Sequence, residues 1–428
     1  MRRQSLLSSD ARIQVPWVKV TIGDYSFGVY SKNKGTAQVK DKGKNAIVYN
    51  NVSIQRYPNY IQKLTIVKIN GQVNKYTLDI TYPVTQEDDP NFFEKVFSSI
   101  SNTRKIMFSY GDAFMPSYVY KDEEALVTGI TQSFNLESST ITYSVQAVSS
   151  AALGNSTIIT RVATGKPEKP SDIIKQLWRD QEMGLKDLFT GMSESNLNSL
   201  IDGTDQPVIL QTKTNISVLD YIRYLVSCMI PVGTAANSDI APDIYILTLH
   251  DETIKDTING KPSLITGPYF KVTRTSYQVD QSDAYEIDIG YNTRTLVTSF
   301  SIENNENYSI LYDYQKEIHP KQYVRRINED GIWEDVFAPA TTTGGDDYMT
   351  DEDDVTWWTK LTKYPIKATI TVQGLLRPAE LMTHLRLNVI FPGGHKHISS
   401  GLYIITKQID TIDANGYRTQ LGLTRIGS

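Results

Sequence analysis

Ile366-Lys367-Ala368-Thr369-Ile370-Thr371-Val372-Gln373 is the stretch from which the rest of the chain is read. Its apolar and polar residues alternate strictly, and a period of two marks a strand with one wet face. Leu385-Arg386-Leu387-Asn388-Val389 repeats the pattern. Gly401-Leu402-Tyr403-Ile404-Ile405 opens a further strand running to about Ile412. Asp413-Ala414-Asn415-Gly416 then predicts a hairpin, because Asn and Gly both tolerate positive φ. The returning strand places Tyr417, Thr419, Leu421 and Leu423 on one face and Arg418, Gln420, Gly422 and Thr424 on the other. The expectation is an antiparallel meander that closes into a small barrel or sandwich.

The rest of the chain divides around this block. A length of 428 residues suggests about two to four domains. With 40% apolar and 21% charged residues it can bury a core, and 26 tyrosines favour β structure. Residues to about Val15 read as an arm, followed by a strand on Val18, Val20 and Ile22 and a polar Gly- and Lys-rich loop over 32–43. Strands at 64–69 and 76–82 flank the turn Asn70-Gly71. Asp89-Pro90 opens a helix with Phe92, Phe93, Val96, Phe97 and Ile100 on one face. A strand at 105–110 and a hairpin with arms 125–136 and 140–148 complete the block.

Gly165-Lys166-Pro167-Glu168-Lys169-Pro170 is a linker by composition. Ser171 is expected to cap a helix, and Ser217-Val218-Leu219-Asp220 to form a capping box on another that reaches about Met229. A strand follows at 243–250, and β character returns from about Pro268, with strands at 270–272, 285–289, 296–302 and 308–314. The predicted architecture is mainly β with an α+β middle. It comprises a first β-barrel unit with its arm and helix (1–160), a mixed α/β unit (161–265) and a second β-barrel unit carrying an acidic loop at about 328–359 (266–428).

The two β blocks resemble each other in order. Residues 64–69 resemble 297–302, and Tyr76-Thr77-Leu78 resembles Tyr308-Ser309-Ile310. The strand at Ile106 matches the strand at Ile370, and Thr131 to Phe134 match Thr406 to Ile409. Ile141, Tyr143, Val145 and Ala147 match Tyr417, Thr419, Leu421 and Leu423. The helix at 92–100 and the acidic window fall in one slot between matched strands.

Chemistry-bearing residues are few. A single cysteine, Cys228, excludes an internal disulfide and a multi-cysteine metal site, and its apolar helical setting predicts a buried, inert thiol. The acidic window holds Asp346, Asp347, Asp351, Asp353 and Asp354, whose paired carboxylates have the chemistry of a glycosidase acid and base. Their spacing does not fit an EF-hand, and the other reading is a solvated loop. Trp357-Trp358 beside it reads as a sugar platform, a docking anchor or a buried contact. His395 and His397 alternate, with His384 as a third candidate for a shared metal, against an exposed polar turn. His250 and His319 stand alone, and no nucleophile elbow, P-loop or dinucleotide fingerprint occurs. No catalytic, cofactor-binding or metal residue is therefore assigned, and no cofactor is implied.

Charge is uneven. The window 328–359 has no Lys or Arg, whereas the stretch to Lys44 is basic. These segments pair head to tail between copies or are separately solvated. A net charge of −5 gives no case for nucleic-acid binding by bulk charge, and no apolar run is long enough to span a bilayer, so neither a sequence-specific nucleic acid nor a stable membrane anchor is expected. Met1-Arg2-Arg3-Gln4 leads into no apolar h-region, so no secretory signal is expected.

Val297-Thr298-Ser299-Phe300-Ser301, Gly401-Leu402-Tyr403-Ile404-Ile405 and the ending Gly416-Tyr417-Arg418-Thr419-Gln420-Leu421-Gly422-Leu423-Thr424-Arg425 resemble phage tail baseplate hub proteins and the hub part of type VI secretion spike proteins. The resemblance implies two tail-tube-like barrels around a mixed middle domain, and a homotrimer whose six similar barrels form a ring. It implies a non-enzymatic virion protein, assembled in the host cytoplasm. One ring face would meet the tail tube or distal tail protein and the other the central spike, with tape-measure protein and genome passing through the lumen. The long acidic window departs from that pattern. Two other readings remain: a receptor- or glycan-binding tail protein, and a cell-wall hydrolase.

Overall fold

The computed structural model describes residues 16–22, 25–31, 40–41, 46–49, 52–56, 61–83, 105–112, 120–229, 244–251, 254–258, 261–265, 267–275, 285–290, 297–304, 323–327, 333–337, 366–373, 381 and 383–427. The expected arm, the helix at 92–100, the strand at 308–314, His319, the aspartates from Asp346 to Asp354 and Trp357-Trp358 lie outside them. The acidic window is not all loop: a strand occupies Trp333–Phe337.

The first block contains β1 (Pro16–Ile22), β2 (Tyr25–Ser31), β3 (Lys40–Asp41), β4 (Ala46–Tyr49), β5 (Val52–Arg56), β6 (Ile61–Ile69), β7 (Lys75–Pro83), β8 (Lys105–Asp112), β9 (Tyr120–Asn135) and β10 (Thr140–Ser149). The middle block has β11 (Ile158–Arg161), β12 (Pro167–Glu168), α1 (Pro170–Arg179), α2 (Leu185–Leu188), α3 (Leu197–Leu200), β13 (Val208–Ile209), β14 (Lys213–Ser217), α4 (Val218–Ser227), β15 (Ile244–His250), β16 (Ile254–Ile258), β17 (Lys261–Ile265) and β18 (Tyr269–Thr275). The last block holds β19 (Tyr285–Gly290), β20 (Val297–Asn304), β21 (Tyr323–Ile327), β22 (Trp333–Phe337), β23 (Ile366–Gln373), β24 (His384–Ile390), β25 (Gly401–Asp413) and β26 (Gly416–Gly427).

Both outer blocks belong to one sheet. Its path runs β20-β23-β26-β25-β6-β7-β10-β9-β8-β1-β2-β5-β4-β3, with β24 on β25 and β19 on β24. The sequence β6-β7-β10-β9-β8-β1 therefore recurs as β20-β23-β26-β25-β24-β19, and the strands come in the same chain order in both. The chain contains one six-strand motif twice.

The register confirms the repeat residue by residue. Ile61 faces Ile80 and Lys63 faces Asp79, leaving Gln62 as a bulge. Val297 faces Val372 and Ser299 faces Thr371, leaving Thr298 as the same bulge. In the last hairpins Thr128 is extra between Gly129 opposite Gln146 and Val127 opposite Ala147. Thr406 is extra between Lys407 opposite Gly422 and Ile405 opposite Leu423. Each bulge threonine donates its hydroxyl to the carbonyl across the ladder, Thr128 to Gln146 and Thr406 to Gly422. Both hairpins also turn on an Asx motif. Asn135 Oδ1 accepts from the amides of Glu137 and Ser138, and Asp413 Oδ1 accepts from that of Asn415. Gly416, at φ +107°, follows that turn.

This register corrects the expected matches. The last strand matches as expected, Ile141 with Tyr417. The strand at Ile370 is the counterpart of β7, not of β8, whose counterpart is β24. Thr128, not Thr131, corresponds to Thr406, and Leu64 corresponds to Phe300. The acidic window thus falls between the first and second hairpin strands, not in the slot of residues 92–100. Similar alternation in every strand hid the offset; only the bulges and pairings fix it.

One strand breaks the symmetry. β1 runs antiparallel to β8, whereas β19 runs parallel to β24. The parallel strand ends at Gly290, where a Cβ would lie 1.9 Å from the Ile390 carbonyl oxygen.

Each sheet curls around one core. Val18 and Val20 on β1 and Leu64 and Ile66 on β6, from opposite ends of the first motif, share a cluster with Leu78, Phe108 and Val145. Ile287, Ile370, Leu385, Tyr403 and Leu421 form the corresponding core of the second. The expected closed barrels are not seen among the described residues, where each motif is a curled, open sheet.

The middle block packs α1 and α4 with β15 and β18 around Ile174, Trp178, Leu225, Leu247 and Phe270. Ser217 caps α4 as expected, its Oγ accepting from the Asp220 amide. α1 differs. Its N-cap position is Lys169, without a side-chain cap, and the Ser171 amide donates to Asp205 Oδ2 at 3.0 Å. The orphan amide is satisfied from another segment. Cys228 ends α4 half-buried, not fully buried. None of the described helices is long and apolar enough to cross a membrane.

Candidate assembly interface

The two motifs meet along β25 and β6. β25 is long and bent: its first part, to Ile404, pairs with β24, and residues 407–413 pair antiparallel with β6. Lys407 faces Ile69, Asp410 faces Ile66 and Asp413 faces Lys63. Ile412 and Tyr417 of the second motif complete the core of the first.

Buried polar side chains flank this joint. Lys68 Nζ on β6 contacts Glu123 Oε1 on β9 at 2.6 Å, and the Tyr110 hydroxyl donates to the same oxygen at 3.0 Å. Asp410 accepts from Thr419 Oγ1 at 2.6 Å, Gln408 Nε2 at 2.6 Å and the Tyr417 hydroxyl at 3.1 Å. The Tyr110 and Tyr417 rings meet edge to face at 6.4 Å. Burial pushes the Asp410 carboxyl up, against the pull of Thr419, Lys68, Gln408 and Tyr417. Burial and the neighbouring Asp410 push the Tyr417 phenol up too. Glu123 is 0% and Asp410 1% exposed, so neither carboxylate can reach a substrate from solvent. The arrangement positions strands and offers no open acid–base pair.

The joint is tied to the middle block as well. Asp251 accepts from Asn74 Nδ2 at 2.6 Å, the Tyr76 hydroxyl at 3.2 Å and the Ser149 hydroxyl. Arg223 Nε donates to the Gly71 carbonyl at 2.8 Å. Neither contact was legible in the sequence, because partners 102 to 177 residues apart carry no local pattern.

The three candidate histidines are not gathered into one cluster. His395 and His397 lie in the turn after β24, not on a strand. His397 Nδ1 hydrogen-bonds Ser399 Oγ at 2.6 Å, and its ring meets Phe391 edge to face. His384 is on β24, and burial lowers its pKa to about 4. Among the described residues no cluster of three potential metal ligands occurs. His250 stacks on Tyr269 at 4.6 Å in the middle block.

No protein-family model and no curated protein matches this sequence. The solved structures it is similar to include phage tail proteins and a type VI secretion component. The 43 kDa tail protein of prophage MuSo2 from Shewanella oneidensis is 10% identical, with 96% of this chain and 97% of that chain covered at a TM-score of 0.49. A tail protein from Neisseria meningitidis is 10% identical over 96% of each chain, at 0.45. A type VI secretion component of E. coli, described as similar to T4 tail proteins, is 8% identical over 91% of this chain and 77% of that one, at 0.42.

Proposed function

We propose that the chain is a structural protein of a phage tail or a phage-derived particle, forming its baseplate or tail hub. Three copies close a ring of six similar units, threefold by sequence and nearly sixfold by shape. The ring joins the tail tube or distal tail protein to a threefold central spike, and tape-measure protein and genome pass through its lumen. The flanking units, 1–160 and 266–428, build the ring from their tail-tube-type six-strand motifs, which would close as barrels only within the assembly, and 161–265 decorates it. The role asks for no catalytic group, and assembly takes place in the host cytoplasm.

One observation carries this reading: the same six-strand motif occurs twice and its copies are hydrogen-bonded edge to edge through β25 and β6. A pairing of like with like that uses a different edge on each partner is heterologous. Such contacts continue until they close into a ring or extend as a filament. Mass measurement in solution with negative-stain imaging tests it. Trimers seen as annuli are expected; a stable monomer or a solid particle without a lumen overturns the proposal.

A further inference from the structure

The joint inside the chain specifies a second joint that the isolated chain leaves open. β25 offers residues 407–413 to β6. The counterpart of that edge in the first motif is residues 129–135 of β9, because Thr128 and Thr406 are the same bulge. β8 pairs with β9 only as far as Leu126, so among the described residues the outer edge of 129–135 has no strand beside it. The counterpart of β6 in the second motif is β20, which ends the sheet path and, among the described residues, pairs only with β23.

Exposure shows the same asymmetry within equivalent pairs. Ile412 is 7% exposed in the made joint, while its counterpart Phe134 is 65% exposed. Ile66 is 0% exposed and its counterpart Ile302 36%. Both open edges carry apolar side chains that the equivalent joint buries, and unpaired apolar edges are what sheet proteins otherwise protect.

We infer that residues 130–135 of one copy pair antiparallel with residues 299–304 of the next copy, repeating the β25–β6 joint between chains. This rests on the ring reading above and adds its contact and register. Transferring the observed pairs puts Phe134 opposite Phe300, Ser133 opposite Ser301, Gln132 opposite Ile302 and Ile130 opposite Asn304. The ladder phase transfers too. The Asn70 amide donates to the Thr406 carbonyl, which makes Thr65 and Thr411 a non-hydrogen-bonded pair two steps inside the pair Lys407 and Ile69. Their counterparts are Ser301 and Ser133. A non-hydrogen-bonded pair brings Cα atoms to about 4.5 Å, within disulfide range. The polar network does not transfer. Gln132 stands for Asp410, Ile130 for Gln408 and Gly401 for Glu123, so the joint between chains is less charged than the one within.

The test uses the full chain with Cys228→Ser. Two separately tagged single-cysteine proteins, Ser133→Cys and Ser301→Cys, are mixed, allowed to exchange and oxidised. A disulfide-linked heterodimer is expected, with neither homodimer. Ser133→Cys mixed with Glu303→Cys, one side-chain repeat out of register, should yield on the order of tenfold less. Assembled protein that gives no Ser133–Ser301 cross-link, or links both pairs equally, overturns the joint while leaving the ring reading intact. A protein that remains monomeric before and after mixing overturns both. As an independent check, Phe134→Asp with Ile302→Asp should abolish assembly while leaving the secondary structure of each chain, read by circular dichroism, unchanged. Full assembly of that variant also overturns the inference.

Discussion

The two motifs keep the same ladder yet differ in what fills it. Bulges at Gln62 and Thr298, and at Thr128 and Thr406, occupy equivalent positions. Ile106 and Phe108 are buried where Leu385 and Leu387 are buried. The polar interior is not shared. The first motif has Lys68 and Glu123 as a buried ion pair, where the second has Asn304 and Gly401. The direction of the first strand also differs, β19 being reversed relative to β1. The backbone plan is thus held by alternation and by bulges that set the twist, and interior chemistry is free to diverge. Among the described residues the charged pair lies in the motif whose β6 meets β25.

The largest expected effect breaks that pair. Lys68→Met leaves Glu123 buried without its counter-ion, and should cost about 3–5 kcal/mol. Denaturant unfolding measures it, and Lys68→Met with Glu123→Gln should recover much of the loss. Asn304→Ala, at the equivalent place in the second motif, should leave stability unchanged.

A smaller effect is confined to the second motif. His384 has its pKa lowered by burial from 6.5 to about 4. Its native form is neutral, so the native state binds fewer protons than the unfolded chain between these values. The stability it contributes is complete above about pH 6.5 and is lost as pH falls towards 4, by about 3 kcal/mol at most. His384→Phe should flatten the pH dependence of the unfolding midpoint over that window; an unchanged slope would show that another group is responsible.

Asp410 titrates in the opposite sense. Its raised pKa means that the native state holds its proton longer, so its stabilising contribution is present at low pH and declines as pH rises through the native value. Asp410→Asn should remove that decline while keeping an acceptor for Thr419 and Tyr417, read from the same pH series.

The smallest effect tests equivalence itself. Thr128→Val and Thr406→Val each remove one hydroxyl-to-carbonyl bond at the same bulge, and each should cost about 1 kcal/mol. A large difference between the two, measured by denaturant midpoints, would show that the bulges are not counterparts.

Most of the strands and the fact of repetition were legible in the residues alone. Alternation is a local property, so Ile370 to Val372, Leu385 to Leu387 and Tyr417 to Leu423 were readable as strands with one buried face. The Asp413 turn and the Ser217 cap were readable for the same reason, each being complete within a few residues. Which strand answers to which follows from the pairings across the sheet. A ladder has a period of two and every strand looks alike, so nothing local separates β23 as the counterpart of β7 from β23 as the counterpart of β8. The tertiary structure alone placed Asp205 on the amide of Ser171, half-buried Cys228 and kept His395 and His397 from joining His384. It also brought Lys68 to Glu123, 55 residues away, and buried Asp410 beside Tyr417 and Thr419, since burial and long-range pairing leave no trace in spacing. The candidate interface was therefore invisible as residues and visible only as a repeat, and its edges emerged when the paired copy was laid against the unpaired one.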